Sequence, residues 1–397
     1  MCRAKWLAPG ALVLGLLASE AMAFETVREA ARGQTVYFNA WGGSPQINDY
    51  IAWVADEVED RFDIDLVHVK LTDTSEAVSR VLAEKAAGQT TAGSVDLIWI
   101  NGENFLAMKE NDLLFGPFAF DLPNFELVDT AGKPTTLIDF TEPTDGFESP
   151  WGMAQFVLIH DRATLPEPPA DLAALAAWAA ENPGRFTFPS PPDFIGATFL
   201  KHVLHAAVDD PAILTTAPDP ATADDLLAPV WAWLDDLQPD LWRGGRAFPA
   251  NGPALHQLFE DGEVDLTMAF NPAEASSLVL DGRFPATTRS YTFADGSIGN
   301  THFVAIPFNS DAAAAARVVA DFLLSPEAQA RKQDPQHWGD FTVLDLDKLE
   351  AEDRALFDAI DLHPATLPPD QLGETLLEPH AAWMDLIEAG WRDRYGS

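Results

Sequence analysis

Apolar residues recur every three or four positions at Ile47, Ile51, Val54, Val58 and Phe62, with Asp56, Glu57, Glu59 and Asp60 between them. That spacing predicts an amphipathic helix with one buried face. Ser44-Pro45 heads it with a side-chain cap and a proline at the first helical position. Val36–Asn39 before it reads as a short strand, and Ile64–Leu71 after it as a second. Asp73-Thr-Ser-Glu76 has the spacing of a reciprocal cap, and the helix it opens carries Val78, Val81 and Leu82 and stops near Gly88. Val95–Ile100 is apolar without alternation, as a strand covered on both faces should be. The order β-α-β-α-β predicts a parallel sheet with right-handed crossovers.

The pattern then changes. Pro143 to Asp161 reads as a boundary followed by a crossing strand, with Trp151-Gly152 at its start and Phe156–Ile159 apolar. Thr164-Leu-Pro-Glu-Pro-Pro is stiff and extended, a linker by composition. A second unit follows, with a short strand at Phe186-Thr-Phe188, a turn over Pro189–Pro192, and a helix opened by Asp193 that turns Phe199, Leu200, Val203 and Leu204 inward. Helices are expected over Leu226–Leu237, Leu255–Phe259 and Asp311–Leu324, and strands over Val264–Phe270 and Ser297–Pro307. The reading is an α/β protein of two lobes joined by more than one crossing. Lobe one takes 24–150 and 298–335, and lobe two takes 151–297 and 336–397.

Ligand clefts in open α/β sheets lie at the carboxyl ends of the strands. Here those ends are Asn39–Gly43, Thr72–Thr74 and Asn101–Asn104. Gly42 and Gly43 permit close backbone approach, and the helix start offers free N–H groups. Trp41 either presents a flat face to a ligand or covers the sheet edge.

The first 23 residues change the picture of compartment. Arg3 and Lys5 precede the apolar stretch Trp6–Ala18, and Ala21-Met22-Ala23 supplies a small-x-small cleavage pattern, which together read as an export signal. The stretch is shorter than the roughly 20 residues a membrane span needs. Cys2, the single cysteine, lies within the 23-residue segment to be removed, so the mature chain is expected to hold no disulfide, zinc thiolate or cysteine nucleophile. The 62 acids against 24 lysines and arginines give a net charge of −38. Such a surface repels phosphate backbones and anionic lipid, so nucleic acid and membrane-surface roles are disfavoured.

Catalytic and metal chemistry find little footing. No G-x-S-x-G turn is present, and the acids Glu103 and Asp193 fall on different predicted lobes, so no catalytic residue is assigned. His202 and His205 are spaced i,i+3 on a helix that also buries Val203 and Leu204, and His302 stands alone near Asn300. No ligand cluster of recognisable spacing emerges, and neither metal nor cofactor is expected. Tryptophan and phenylalanine faces with acids suit a flat or cationic solute, although several of these acids can equally cap helices.

Gly262-Glu-Val-Asp-Leu-Thr-Met-Ala-Phe-Asn271, Phe303-Val-Ala-Ile-Pro307 and Phe322-Leu-Leu-Ser-Pro-Glu-Ala-Gln329 resemble segments of bacterial extracellular solute-binding proteins. Trp41-Gly-Gly-Ser-Pro-Gln-Ile-Asn48, Trp99-Ile-Asn-Gly-Glu-Asn-Phe105, Leu114-Phe-Gly-Pro117 and Gly299-Asn-Thr-His-Phe-Val-Ala305 resemble, more narrowly, the YnjB-type subfamily of ABC-transporter binding proteins. The resemblance implies a type II periplasmic binding protein, with each lobe a mainly parallel sheet flanked by helices. It implies a soluble periplasmic monomer that closes on a solute and delivers it to a membrane permease. Relatives include thiamine and ferric-iron binders, so a small polar organic solute, with a cationic thiamine-like one fitting, leads. A ferric site and then a secreted hydrolase are the alternatives. Carried over by position, Trp41, Gly42, Gly43, Asn101 and Glu103 face the cleft from lobe one. Asp193, Phe194, Thr198, Phe270, Asn271 and Glu274 face it from lobe two. Trp151 sits by the hinge and Asn300 near the return crossing. Phe147–Trp151 and Gly296–Asn300 would absorb the closure, which solute favours by its differential affinity.

Overall fold

The structure, a computed structural model, describes residues 24–396. The expected export signal over 1–23 lies outside the described residues. A helix over 24–31 (α1) leads into β1 (Thr35–Trp41), α2 (Pro45–Phe62), β2 (Asp65–Leu71), α3 (Ser75–Ala86), β3 (Leu97–Ile100) and α4 (Glu103–Glu110). A hairpin of β4 (Ile138–Asp139) and β5 (Glu142–Pro143) precedes β6 (Glu148–Gln155) and β7 (Val157–Asp161). Helices α5 (Leu172–Glu181), α6 (Phe194–Ala207), α7 (Ala223–Leu237) and α8 (Gly252–Glu260) follow. Then come β8 (Leu266–Ala269), α9 (Glu274–Leu280), β9 (Thr288–Tyr291) and β10 (Ser297–Ala305). The chain ends through α10 (Ala313–Leu323), α11 (Pro326–Gln333), α12 (Ala351–Asp358), β11 (Thr375–Leu376) and α13 (Ala382–Tyr395).

Local chemistry explains the first elements. Ser44 Oγ accepts from the Ile47 amide at 3.5 Å, Pro45 opens α2, and Ile47, Tyr50, Ile51, Val54 and Val58 are buried along its inner face. Asp63 closes the helix in the left-handed region at φ 58°, a conformation that aspartate tolerates better than most residues. At α3, Glu76 Oε1 accepts from the Thr72 and Asp73 amides, each at 3.2 Å, while Asp73 Oδ1 accepts from the Ser75 amide at 2.8 Å. That is the reciprocal arrangement the spacing predicts.

β1 pairs in parallel with β2 from Thr35↔Asp65 to Trp41↔Leu71, and with β3 at Phe38↔Leu97. β10 joins β3 and β6 antiparallel, and β11 runs parallel to its start. The second sheet differs from a mainly parallel one: β7 lies between β8 and β9, antiparallel to both. The expected strand Phe186-Thr-Phe188 runs beside the start of β8 without completing a ladder. Arg185 O accepts from Asp265 N at 2.9 Å, but Phe186 O turns to Trp242 N at 2.8 Å.

Each sheet carries its own core. Val36, Phe38, Ile51, Val54, Trp151, Val304, Val319 and Trp338 pack on the first, and Phe156, Leu158, Phe186, Phe199, Leu234, Met268 and Trp391 on the second. Only Phe156 separates β6 of the first sheet from β7 of the second, and β10 returns alongside. Trp338, Val343, Leu344 and Phe357 pack on the first core, while Ala365, Leu372, Trp383 and Ile387 pack on the second. The final passage between cores therefore follows Phe357, beyond the 335/336 division expected from sequence.

Candidate functional site

The strand ends of the first lobe are built from glycine contacts. A Cβ on Gly43 would lie 2.2 Å from the Trp41 indole, so glycine lets the backbone rest on that ring. Asn48 Nδ2 donates to Gly42 O at 3.1 Å, tying the turn to its own helix. After β3, Asn101 is half-buried and Gly102 takes φ 60°. The Gly102 amide donates to Asp139 Oδ2 at 2.7 Å, and a Cβ there would fall 2.7 Å from the Phe140 ring. Phe140 itself has φ 53°, an uncommon and strained setting for a bulky residue. The hairpin tip is thus held against the backbone that presents Glu103.

The second lobe answers with α6. Asp193 Oδ1 caps it, accepting from the Ile195 and Gly196 amides at 3.0 and 3.2 Å. Phe194 meets Phe270 edge-on, their centroids 5.0 Å apart. Two turns further along, Lys201 Nζ donates to Glu378 Oε2 at 2.6 Å, and Asn300 Nδ2 donates to Glu378 Oε1 at 3.2 Å. The Lys201 ammonium also lies 4.9 Å from the Phe140 centroid and 5.3 Å from that of Phe194. Rings from both lobes therefore face one cation.

Acids dominate this region. Burial pushes the Glu103 carboxyl up; its own amide and Lys201 oppose that, and Glu378 and Asp73 add to it. Burial drives Asp139 well above the carboxylate range despite the Gly102 N–H, with Glu103 and Glu378 repelling its charge. Asp193 rises to about 6 through burial, opposed by its backbone donors and reinforced by Asp73 from the other lobe. Glu388 is raised by burial first, then by Asp385, with Asp73 contributing. Burial also raises Glu148, whose two oxygens have no hydrogen-bond partner.

The carried-over residues divide. Glu103, Phe194, Phe270 and Asn300 converge around Lys201 and Glu378. Trp151 instead is fully buried in the first core, edge-on to Trp99 and Trp338 at 5.2 and 5.3 Å. Thr198 is buried within α6, where its carbonyl meets His202 Nδ1 at 2.8 Å. Asn271 Nδ2 donates to Trp338 O at 3.2 Å, spending its amide on the segment after α11. Glu274 lies 3.7 Å from His256, but burial lowers the imidazole to about 3 and raises the carboxyl to about 7. Near neutral pH that contact is not an ion pair. Lys201, Glu378, Asp139 and Phe140 went unread in the sequence. The available signal was Lys201, set with His202 between the apolar pairs Phe199-Leu200 and Val203-Leu204 of one helix.

His202 is accounted for structurally: Nε2 accepts from the Ile298 amide at 3.0 Å, and burial lowers the ring to about 3. Among the described residues no group of three or more His, Cys, Asp or Glu could hold a metal ion. No described helix is long and apolar enough to cross a membrane. A cavity of about 250 Å³ opens between the lobes at the start of α2, lined by Gln46, Asp49, Tyr50, Asp281, Arg331 and His337. At its edge Gln46 Nε2 donates to Asp281 Oδ2, linking α2 to the turn after α9.

Comparison with known proteins places this geometry. The family model described as bacterial extracellular solute-binding protein matches residues 53–344. Protein YnjB of Escherichia coli (strain K12) is 46% identical over 388 residues, covering 98% of each chain. Similar solved folds include AfuA from Actinobacillus pleuropneumoniae with exogenous fructose-6-phosphate bound, at TM-score 0.63 and 12% identity, covering 91% of this chain and 98% of that one. Iron-bound HitA from Pseudomonas aeruginosa has TM-score 0.61 and 16% identity, covering 91% and 99%. The spermidine/putrescine binding protein PotD from Streptococcus pneumoniae has TM-score 0.60 and 16% identity, covering 90% and 99%. At those identities the structures speak for the type II periplasmic binding fold alone, and the ligands named for them are unlike. The family match covers most of the chain and takes in strands of both sheets, and the relative spans nearly the whole chain: the protein belongs to the bacterial extracellular solute-binding proteins.

Proposed function

We propose that this solute-binding protein, the substrate-binding component of an ABC importer, captures a small organic cation between its lobes in the periplasm and delivers it to a membrane permease. One observation carries the reading: carboxyls from both lobes converge where Lys201 is already committed to Glu378. Asp73, Glu103 and Asp139 come from the first lobe, and Asp193, Glu378 and Glu388 from the second. Burial raises Glu103, Asp139 and Asp193, so a solute cation there would offset charge that the protein leaves under-compensated. Phe140, Phe194 and Phe270 supply ring faces for the same charge. A flat cationic solute of the thiamine kind fits this combination, as does a polyamine.

A ferric ion is the weaker reading, because no cluster of metal-binding side chains stands among the described residues. A thermal-shift panel of thiamine and its phosphates, polyamines, sugars, amino acids and ferric iron tests the choice. A solute at a hundred times its dissociation constant adds about 2.7 kcal/mol. Stabilisation by an organic cation supports the reading, and stabilisation by a neutral sugar or ferric iron alone overturns it.

A further inference from the structure

The Lys201 side chain and its partner Glu378 are each 1% exposed. An ammonium taken out of water loses a large hydration energy, which a carboxylate recovers only in good geometry. Here the carboxylate oxygen lies 2.6 Å from Nζ, and Asn300 holds the other oxygen at 3.2 Å. Phe140 from one lobe and Phe194 from the other turn their faces to the same nitrogen at 4.9 and 5.3 Å. A carboxylate with two ring faces is the composition of a site for an alkylammonium ion. It is completed only when the lobes meet, and a lysine of the chain itself fills it.

We propose that Lys201 is a tethered stand-in for the solute's ammonium group: it draws Phe140 and Phe194 together in the empty protein, and the solute's own alkylammonium displaces it from Glu378 and the two rings. The tether sets selectivity. A group attached to the chain competes at an effective concentration of about millimolar or more, so a bare amine loses to it. A solute that also engages Glu103 and Asp193 wins. The identity of the displacing cation rests on the reading of the cleft as the solute site, whereas the cage itself does not.

The test compares wild type, K201A and K201A/E378Q, using n-propylammonium chloride as probe and n-propanol as its neutral control. In K201A the vacated cage should bind propylammonium about tenfold or more tightly than wild type does. Its melting temperature should rise with propylammonium and not with propanol. The double variant, which lacks the carboxylate, should fold and ignore both. Should K201A fail to fold alone, propylammonium should restore it. A folded K201A indifferent to propylammonium, an equal response in the double variant, or a K201A chain that no propylammonium concentration refolds while the double variant folds, overturns the cage. A sugar or ferric iron in the wild-type panel overturns the solute reading and leaves the K201A result standing.

Discussion

Lys332 Nζ donates to the main-chain carbonyl of Trp151 at 2.9 Å and sits 4.0 Å from the centre of the same residue's indole. The ammonium is also 4.1 Å from the Trp338 ring and bonded to Asp340, which His302 Nδ1 approaches at 3.2 Å. Burial pulls the Asp340 carboxyl up, but His302 and Lys332 outweigh it and hold the group below its ordinary value. Gly152 admits this arrangement, since a Cβ there would lie 1.8 Å from Asp340 Oδ2. K332M removes the cation and leaves a buried carboxylate with His302 alone. The expected loss is about 3–5 kcal/mol, read as a lower urea midpoint at unchanged slope. A loss under about 1 kcal/mol would show that the network is not a structural tie.

E103Q separates binding from folding. The Glu103 carboxyl is raised by burial, so the neutral amide should leave the melting temperature unchanged or higher. Affinity for the cationic solute should fall about tenfold or more, as calorimetry would read. A collapsed melting temperature would make Glu103 a structural residue.

Proton linkage gives stability and binding opposite signs. Asp193 rises from 3.8 to about 6, and Glu274 from 4.5 to about 7. Each holds its proton more tightly in the folded chain, so each contributes stability that is fully present below its ordinary value and lost as pH rises through 6 and 7. A solute cation prefers the ionised carboxylate at Asp193, so affinity should climb as pH rises through about 6 and then level. Melting curves and titrations between pH 4 and 8 read both trends (a window set by those two values). Parallel trends would remove Asp193 from the solute site.

G102A attacks the hairpin contact. Gly102 has φ 60°, and its Cβ would press 2.7 Å from the Phe140 ring. Alanine should cost about 1–3 kcal/mol and move Phe140 off Lys201. Solute affinity should change in G102A, whereas in G262A, where φ is 68° and a Cβ meets open space, only stability should.

The strand–helix alternation of the first lobe was legible because its signals are local. Ser44-Pro45, Asp73–Glu76 and the continuous run at Leu97–Ile100 each act within a few residues. The same holds for Phe194 and Phe270, which flank a cap and a strand end. Glu378 was not legible, because it meets Lys201 across 177 residues and sits in a stretch without periodicity. Asp139 and Phe140 depend on a hairpin whose purpose appears only once Gly102 is in place. Trp151 misled for the opposite reason. A tryptophan before a crossing strand looks available, until Lys332 from α11 is found stacked upon it.

The stretch after α11 touches both bodies. Ser277 Oγ donates to Pro335 O at 3.0 Å from the α9 side, while Met153 N donates to Phe341 O at 2.9 Å from β6. Gly339 lies so close to Ala273 that a Cβ would come within 2.3 Å of its neighbour's. With β6 and β10 crossing side by side and this stretch bracing both bodies, a hinge here should bend in one plane more readily than it twists. Whatever jaw motion this molecule makes should therefore bring the same two faces back into register every time.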